Sequence, residues 1–380
     1  MHRKQFLLLT TRLMSFTPHR IHIMEKVIPC SDGIQLAAIH WSHTAQPTTS
    51  PTNHHRILCL HGWLDNASSF HILAPTLLQQ FLSSKPHTHV DIVALDHVGH
   101  GKSMHKSPDA TFVYSELAYY VAETLKFLQW DNLSSSTSTT TTTTIIGHSM
   151  SSGVALLYSA AFPEQIDRLI LLDGVGPLSR NSAHVAQHVR DSITKRLTSN
   201  PTLFPHFSPS QAVESVGGGK QQRRQRVYTN LDSAIDARMS VNYAFQQHFY
   251  MSREASHALV LRGTKRFLKD KVNVDEDMDT QSAVVFSHDQ RLKWPSLQYF
   301  TRDQVVAMYQ SVICPTCLLI AHDGWLMQNE EETVCIQGLV KNLSIARFPG
   351  SHHFHADPDT AMDVVQHILQ FINEDAPTQG

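Results

Sequence analysis

Residues 145–153 read Ile-Ile-Gly-His-Ser-Met-Ser-Ser-Gly, and they set Ser149 at the point where the sequence pattern changes from strand to helix. β-Branched residues lead into this segment as in a buried strand, and apolar residues follow it at helical spacing. A strand that turns sharply into a helix exposes its corner side chain at the helix N-terminus, and Gly147 and Ser151 are small enough for the two elements to pass closely. The pattern is the nucleophile elbow Gly-x-Ser-x-Gly, except that Ser151 replaces its last glycine. It predicts Ser149 as a nucleophile, and a Gly/Ser turn without chemistry is the alternative.

Two short apolar runs upstream, residues 56–60 and 90–96, are bounded by turn residues as buried parallel strands are. The first run leads into the loop His61-Gly62-Trp63-Leu64-Asp65-Asn66. Acyl transfer needs two preorganised N–H donors for the negative oxygen of its tetrahedral intermediate, one from the residue after the nucleophile and one from the loop after an earlier strand. The backbone N–H groups of Met150 and Trp63 are therefore the predicted oxyanion hole. An ordinary strand-to-helix turn at residues 61–62 is the alternative.

The order of three segments resembles a serine hydrolase of the α/β-hydrolase-fold superfamily: His61-Gly62-Trp63, then Asp96-His97-Val98-Gly99-His100-Gly101-Lys102-Ser103, then Gly147-His148-Ser149-Met150. Within that superfamily, residues 227–326 most resemble the serine hydrolase-like (Kraken-like) family. This second resemblance rests on residues 173–177, 228–238, 252–255, 261–264, 286–292, 301–304 and 323–324. It implies an α/β fold, namely a mostly parallel eight-stranded sheet flanked by helices with an inserted helical cap.

Length and pattern predict one large domain with an insertion. A chain of 380 residues exceeds the usual single domain, but an α/β core with an inserted cap reaches this size. Mainly helical signals fill the long segment between the strands at 169–173 and 316–321, including a capping box at Thr301 and Gln304. We expect an N-terminal extension at residues 1–24, the hydrolase core at 25–174 and 311–375, and a cap at 175–310 that shapes the substrate pocket.

Three further segments lack apolar periodicity and are rich in Thr, Ser, Pro, Gly or basic residues. They are residues 46–55, 134–144 and 216–226, and we interpret them as surface loops. The last threonines of the second segment lead directly into the elbow strand, so they are also compatible with strand.

The base that accepts the serine proton is expected after the last strand, residues 343–349, in the loop Gly350-Ser351-His352-His353-Phe354-His355. A histidine suits this role because its unperturbed pKa lets it take and return a proton near neutral pH. We assign the base to His352, with His353 as the alternative, and interpret His355 as structural. Three close histidines can also bind a metal, but no carboxylate with ligand spacing stands nearby, so no metal is predicted.

The acid of the triad has two candidates. Asp323 follows the strand at residues 316–321 and precedes His352, which gives the chain order Ser, Asp, His of this fold. Counted from Pro315, however, the usual acid position falls on Gly324. Asp173 ends the strand after the nucleophile helix and is the alternative, because some relatives in the superfamily place the acid there. Either carboxylate would orient the histidine and stabilise its charged form.

Composition excludes several kinds of partner. The 31 Lys and Arg residues nearly balance 33 Asp and Glu, so nothing points to nucleic acid, and the basic run at residues 223–226 is interpreted as a solvated loop. Five cysteines cannot all pair and are typical of buried thiols in a reducing compartment. Cys314 and Cys317 form a C-x-x-C motif without a second pair, so metal binding is not predicted there either. No cofactor is expected, and the oligomeric state stays open.

The first 24 residues contain arginines, hydroxyl residues and a short apolar cluster but no Asp or Glu, as mitochondrial transit peptides do. Arg12-Leu13 followed by His19 also resembles an N-terminal peroxisomal signal, although Arg20 departs from it. Without either signal the expected location is the cytoplasm. No segment approaches transmembrane length, so a soluble intracellular protein is expected.

These residues favour a serine hydrolase that cleaves an ester, thioester or related acyl substrate through a covalent acyl-enzyme. The alternative is a catalytically silent protein of the same fold that binds a small ligand under its cap, which Ser151 and the shifted acid favour. Epoxide hydrolases and haloalkane dehalogenases need a carboxylate nucleophile, and the serine at position 149 argues against them.

Overall fold

The structure is a computed structural model that describes residues 21–43, 53–85, 88–131, 140–198, 225–244, 251–267, 282–328 and 330–374. The predicted targeting signals of the N-terminal extension lie outside these ranges, as does most of each predicted surface loop. Residues 21–24, which the sequence assigned to the extension, belong to the first strand.

Eight strands form one sheet. They are β1 (Ile21–Pro29), β2 (Gln35–His43), β3 (Asn53–Leu60), β4 (Thr88–Leu95), β5 (Thr140–His148), β6 (Arg168–Leu172), β7 (Thr316–Asp323) and β8 (Leu343–Ser351). Their spatial order is β1-β2-β4-β3-β5-β6-β7-β8. β1 and β2 pair antiparallel, as do β2 and β4, and every other neighbouring pair is parallel. The predicted mostly parallel eight-stranded sheet is confirmed.

Two strands extend into segments that the sequence analysis interpreted as loops. β3 begins at Asn53, so the interpretation of residues 46–55 as loop was wrong for its last three residues. β5 begins at Thr140 and takes in the last five threonines of the Ser/Thr tract. Threonine is β-branched and suits a strand that is paired on both sides, as β5 is by β3 and β6.

Nine helices occur in the described ranges. They are α1 (Leu73–Ser84), α2 (Tyr114–Phe127), α3 (Met150–Ala161), α4 (Val185–Thr198), α5 (Leu231–Ala244), α6 (Arg253–Gly263), α7 (Arg302–Ser311), α8 (Glu330–Leu339) and α9 (Ala361–Asn373). Helices α2, α3, α7 and α8 pack on one face of the sheet, and α1 and α9 pack on the other. Within these ranges no helix combines the length and apolar composition that crossing a membrane requires.

The segment between β6 and β7 carries α4, α5, α6 and α7 together with two short strand pairs. Residues Ser179–Arg180 pair with Phe300–Thr301, and Thr264–Arg266 pair with Val284–Phe286. The predicted capping box at the start of α7 is confirmed, because Thr301 accepts from the Gln304 N–H and Gln304 accepts in return. This segment contacts the loops that follow β3 and β4, which is where a cap over the carboxyl edge of the sheet would lie.

A buried ion pair joins this segment to the core. Asp96, which directly follows β4, is fully buried, accepts a hydrogen bond from the Arg262 Nε at 3.0 Å and forms an ion pair with the Arg262 Nη2 at 2.9 Å. It also accepts the backbone N–H groups of Ala67 and Lys102 at 2.7 and 2.8 Å. Arg262 further donates to Glu25 at 2.6 Å. Burial opposes the charge of Arg262, but Asp96 and Glu25 outweigh it and raise the pKa of the guanidinium.

We expect Arg262→Ala to lower the free energy of unfolding by about 3–5 kcal/mol, because it leaves the Asp96 carboxylate buried without its counter-charge. Arg253 is the matched control, since it lies on the same helix and pairs with Asp232 and Asp236 in an exposed setting. Its replacement by Ala should cost at most about 1 kcal/mol. Urea unfolding followed by circular dichroism measures both, and equal losses would contradict the assignment.

Candidate active site

Ser149 occupies the corner between β5 and α3. Its φ is 54° and its ψ is −118°, a conformation that L-residues rarely adopt. The Ser149 N–H donates to the Leu172 carbonyl at 2.9 Å, which holds the corner against β6. A Cβ atom on Gly147 would lie 2.3 Å from the Ser151 carbonyl oxygen, so only glycine fits where strand and helix pass. The predicted elbow is therefore present in its geometry, with the Ser149 side chain half-buried.

His352 stands immediately after β8 and faces Ser149. The Ser149 Oγ lies 2.7 Å from the His352 Nε2, and the His352 Nδ1 lies 2.5 Å from the Asp173 Oδ2. The carboxylate can only accept, so Nδ1–H donates to Asp173 and Nε2 is left to accept the serine proton. The three side chains form one continuous hydrogen-bonded line, in which both His352 and Asp173 are buried.

Of the two candidate acids, the structure brings Asp173 to His352 and leaves Asp323 exposed. Asp323, the first choice from the sequence, is the last residue of β7 and its side chain is exposed. Asp173, the alternative, follows β6, is fully buried and contacts His352. Its carboxylate also accepts the backbone N–H groups of Trp325 at 2.7 Å and Ala321 at 3.3 Å, which fix its orientation.

Gly324 explains the shifted register. A Cβ atom at this position would lie 2.3 Å from the Asp173 Oδ2. The space that a side chain from the loop after β7 would occupy is therefore filled by the carboxylate from β6. The glycine at the usual acid position and the place of Asp173 at the end of a strand were the signals in the sequence that pointed to Asp173.

The two predicted oxyanion donors, Trp63 and Met150, line the same cavity as Ser149. Within the described residues neither backbone N–H has a hydrogen-bond acceptor. The loop after β3 passes close to the elbow, because a Cβ on Gly62 would lie 3.2 Å from the Ser149 Cβ. Two unused N–H groups beside a nucleophile are what an oxyanion site requires.

Ser151, the departure from the elbow pattern, joins the elbow to this loop. Its Oγ donates to the His61 carbonyl and lies 2.7 Å from the His97 Nε2. His61 in turn accepts the His97 backbone N–H on Nε2 at 3.0 Å. Burial lowers the pKa of both His61 and His97, so these rings are neutral links. This network could not be predicted from the sequence, because the spacing of these residues along the chain does not reveal it.

His353, the alternative base, is turned toward Asp65. Its Nε2 lies 3.1 Å from the Asp65 Oδ2, and Arg238 of α5 pairs with the other carboxylate oxygen. Burial would raise the pKa of Asp65, but Arg238 and His353 outweigh it and hold that pKa well below its ordinary value. His355 lies 2.8 Å from the Ser69 Oγ, away from Ser149.

Asp65, His148 and His353 bring three ligand atoms within 4.8 Å of one another, as a metal site does. The Arg238 guanidinium already neutralises this carboxylate, so a cation would be repelled there. A second set with the same ligand spacing, His54, His89 and Asp91, lies at the other end of the sheet.

A cavity of about 560 Å³ opens at Ser149. Its volume falls in the range of small-molecule sites. Most of its walls are apolar or aromatic: Phe112, Val113, Leu117, Val175, Trp294, Tyr299, Phe300 and Trp325. The cavity lies between the carboxyl edge of the sheet and the segment that joins β6 to β7.

The chain is similar to known proteins over most of its length. The family model of the alpha/beta hydrolase fold matches residues 55–359. A serine hydrolase-like protein of Dictyostelium discoideum is 26% identical over 356 residues, which cover 92% of this chain and 82% of that protein. Serine hydrolase-like protein 2 of Homo sapiens is 25% identical over 346 residues, covering 88% and 92%. The crystal structure of a hypothetical protein from Pseudomonas aeruginosa PAO1 has a TM-score of 0.68 and 26% identity, covering 93% of this chain and 99% of that one.

The contact between His352 and Asp173 predicts a spectroscopic signature that does not depend on turnover. The Nδ1–H of His352 should give a strongly deshielded proton resonance, because it donates a short bond to a buried carboxylate. We expect Asp173→Asn to abolish this resonance and Asp323→Asn to leave it in place. Proton NMR of protein labelled with ¹⁵N-histidine measures both. The reverse pattern would show that Asp323 of β7 is the acid.

Proposed function

Because the chain belongs to the alpha/beta hydrolase fold family and is similar to serine hydrolase-like proteins over most of its length, we propose that it is a serine hydrolase that cleaves an ester, thioester or related acyl substrate. The observation that carries the proposal is the line from the Ser149 Oγ through His352 to the Asp173 carboxylate, with contacts of 2.7 and 2.5 Å. A nucleophile, a base and an acid that orients the base are the parts that acyl transfer needs.

In the first half of the reaction, Ser149 attacks the substrate carbonyl carbon while its proton moves to the His352 Nε2. Asp173 holds the ring in the required tautomer and stabilises the imidazolium that forms. The negative charge that develops on the carbonyl oxygen is met by the N–H groups of Met150 and Trp63. Collapse of the tetrahedral intermediate breaks the bond to the leaving group, which takes the proton from His352.

In the second half, a water molecule repeats the attack on the acyl-enzyme. His352 accepts a proton from the water, and the hydroxyl oxygen bonds to the acyl carbon. The second tetrahedral intermediate then releases the carboxylic acid, and His352 returns the proton to the Ser149 Oγ. No cofactor takes part in this sequence.

The cavity favours a substrate with a bulky apolar group. Aromatic side chains of the inter-strand segment, among them Trp294, Tyr299 and Phe300, form one wall, and Phe112 and Leu117 of the core form another. Burial of apolar surface against such walls contributes roughly 25 cal/mol per Å². We assign residues 175–310 as the cap, apart from α7, which packs on the sheet, and this cap would determine which acyl or alcohol group is accepted.

A catalytically silent ligand-binding protein would use the same cavity. The two features that favoured it have partners in the structure, since Ser151 bonds to His61 and His97 and the Asp173 carboxylate contacts His352. Chemical labelling of the serine distinguishes the two functions, because ligand binding alone forms no bond to Ser149.

We expect Ser149 to react covalently with a fluorophosphonate probe, because its hydroxyl is bonded to a base and lines an open cavity. Mass spectrometry of the digested protein should place the adduct on the peptide that carries Ser149, and Ser149→Ala should abolish labelling. Protein denatured before labelling is the control for nonspecific reaction. An adduct on another serine, or no adduct on the folded protein, would contradict the assignment as a serine hydrolase.

Neighbouring histidines provide a matched pair for kinetics. His352→Ala should lower kcat on p-nitrophenyl esters by several orders of magnitude, on the order of 10⁶-fold, because the triad acts as a unit. Asp173→Asn should cost about 10⁴-fold, since the amide favours the wrong ring tautomer. His353→Ala should change kcat far less, because that ring binds Asp65. A larger loss from His353→Ala in folded protein would show that the base is misassigned.

A further inference from the structure

Three histidines surround one carboxylate at the end of the sheet opposite Ser149. Asp91 of β4 receives the His40 Nε2 on Oδ1 at 2.6 Å. Its Oδ2 lies 2.9 Å from the His54 Nε2 and 3.1 Å from the His89 Nε2. The residues come from the three neighbouring strands β2, β3 and β4, and the proposed hydrolytic reaction uses none of them.

Strand register places these side chains on one face. His54 is the Cα partner of His89 in the parallel pair of β3 and β4, and Asp91 follows His89 by two residues. Side chains two residues apart on a strand share a face, so His89 and Asp91 point the same way as His54. His40 pairs with Val93, which is two residues beyond Asp91, and therefore joins the same face.

The side chains of the cluster are partly buried but still accessible to solvent. The side chains of His54 and His89 are 20% and 30% exposed, and that of Asp91 is 15% exposed. Burial would raise the pKa of Asp91, but the hydrogen bonds from His40, His54 and His89 outweigh it and lower that pKa well below its ordinary value. The carboxylate is thus an anion at neutral pH with histidine rings as its nearest partners.

We propose that His54, His89 and Asp91 bind a divalent transition metal ion of the class that prefers imidazole, such as Zn²⁺. Their ligand atoms lie within 4.8 Å of one another. A tetrahedral zinc ion with bonds of about 2.0–2.1 Å holds its ligand atoms about 3.4 Å apart, so the observed 2.9 and 3.1 Å need only a few tenths of an ångström of expansion. Two imidazoles and one carboxylate are also a recurrent ligand set for such ions.

Binding requires a change of tautomer at His54 and His89. Without metal, the Nε2–H groups of His54 and His89 donate to Asp91. With metal, each ring would be neutral, carry its proton on Nδ1 and offer the Nε2 lone pair. His40 keeps its bond to the other oxygen of Asp91 and acts as a positioning residue for the carboxylate.

One neighbouring charge opposes the metal. Arg56 is the Cα partner of Asp91 on β3 and shares the same face. Burial lowers the pKa of Arg56, while the Asp91 charge acts in the opposite direction. Unlike the Arg238 guanidinium at Asp65, no hydrogen bond joins Arg56 to Asp91 within the described residues, so the carboxylate stays available.

The test is calorimetric titration of Zn²⁺ into metal-stripped, full-length protein without a histidine tag. We expect one ion per chain and a rise in melting temperature, because the ion would cross-link β3 and β4. His54→Gln and His89→Gln should each weaken binding at least about 100-fold. His40→Gln should weaken it about 10- to 100-fold, as loss of a residue that orients a ligand does.

His184→Gln is the matched control, because His184 is exposed and lies outside the cluster. It should leave the Kd unchanged, which separates the site from weak binding by the chain's 26 histidines. Melting curves without metal verify that each variant is folded. Absence of stoichiometric binding by the wild-type protein, or an equal Kd in the His54, His89 and His184 variants, would overturn the proposal. Co²⁺, whose visible spectrum reports imidazole ligation, provides a second readout on the wild-type protein alone.

Discussion

The backbone of Ser149 is held at a positive φ of 54° between a strand and a helix that nearly touch. Such a conformation costs on the order of 1–3 kcal/mol and persists only where its surroundings determine it fully. Here the Ser149 N–H is bound by the Leu172 carbonyl of β6, and Gly147 leaves no side chain between β5 and α3. The strained corner aims the hydroxyl at His352, so the rest of the site is arranged around this one turn.

A second strained residue lies at the end of the neighbouring strand. Asp173 has a φ of 45°, and a Cβ on the following Gly174 would lie 2.5 Å from the Ser149 carbonyl oxygen. The turns after β5 and β6 are thus packed against each other, and this brings the carboxylate within reach of the histidine that follows β8. Non-glycine residues at positive φ on two adjacent strand ends are typical of an active site, because strained backbone conformations cluster where side chains must be held in one position.

The sequence predicted the strands and the elbow because burial on both faces leaves continuous apolar runs between turn residues. It could not choose the acid, because β6 and β7 are neighbours and Asp173 and Asp323 both stand at the same edge of the sheet. They differ in three dimensions, because Asp173 contacts His352 and packs against Gly324, whereas Asp323 is exposed. His54 was assigned to a loop for a related reason: a polar strand end, paired to β4 and β5 by its backbone, carries no apolar alternation that a pattern could detect.

The loop after β3 carries Trp63, one of the two proposed oxyanion donors, and contacts the segment between β6 and β7. Trp63 donates its indole N–H to the Leu292 carbonyl at 3.2 Å, Asp65 pairs with Arg238, and Asn66 donates to the Leu259 carbonyl at 2.8 Å. A buried ion pair adds little net stability but is costly to break, so it specifies one arrangement over others. The Trp63 N–H is proposed to meet the developing negative charge, and its position depends on the same contacts that seat residues 175–310. The proposed cap and the proposed donor Trp63 are therefore joined through one loop, so a change in the cap would act on turnover as well as on selectivity.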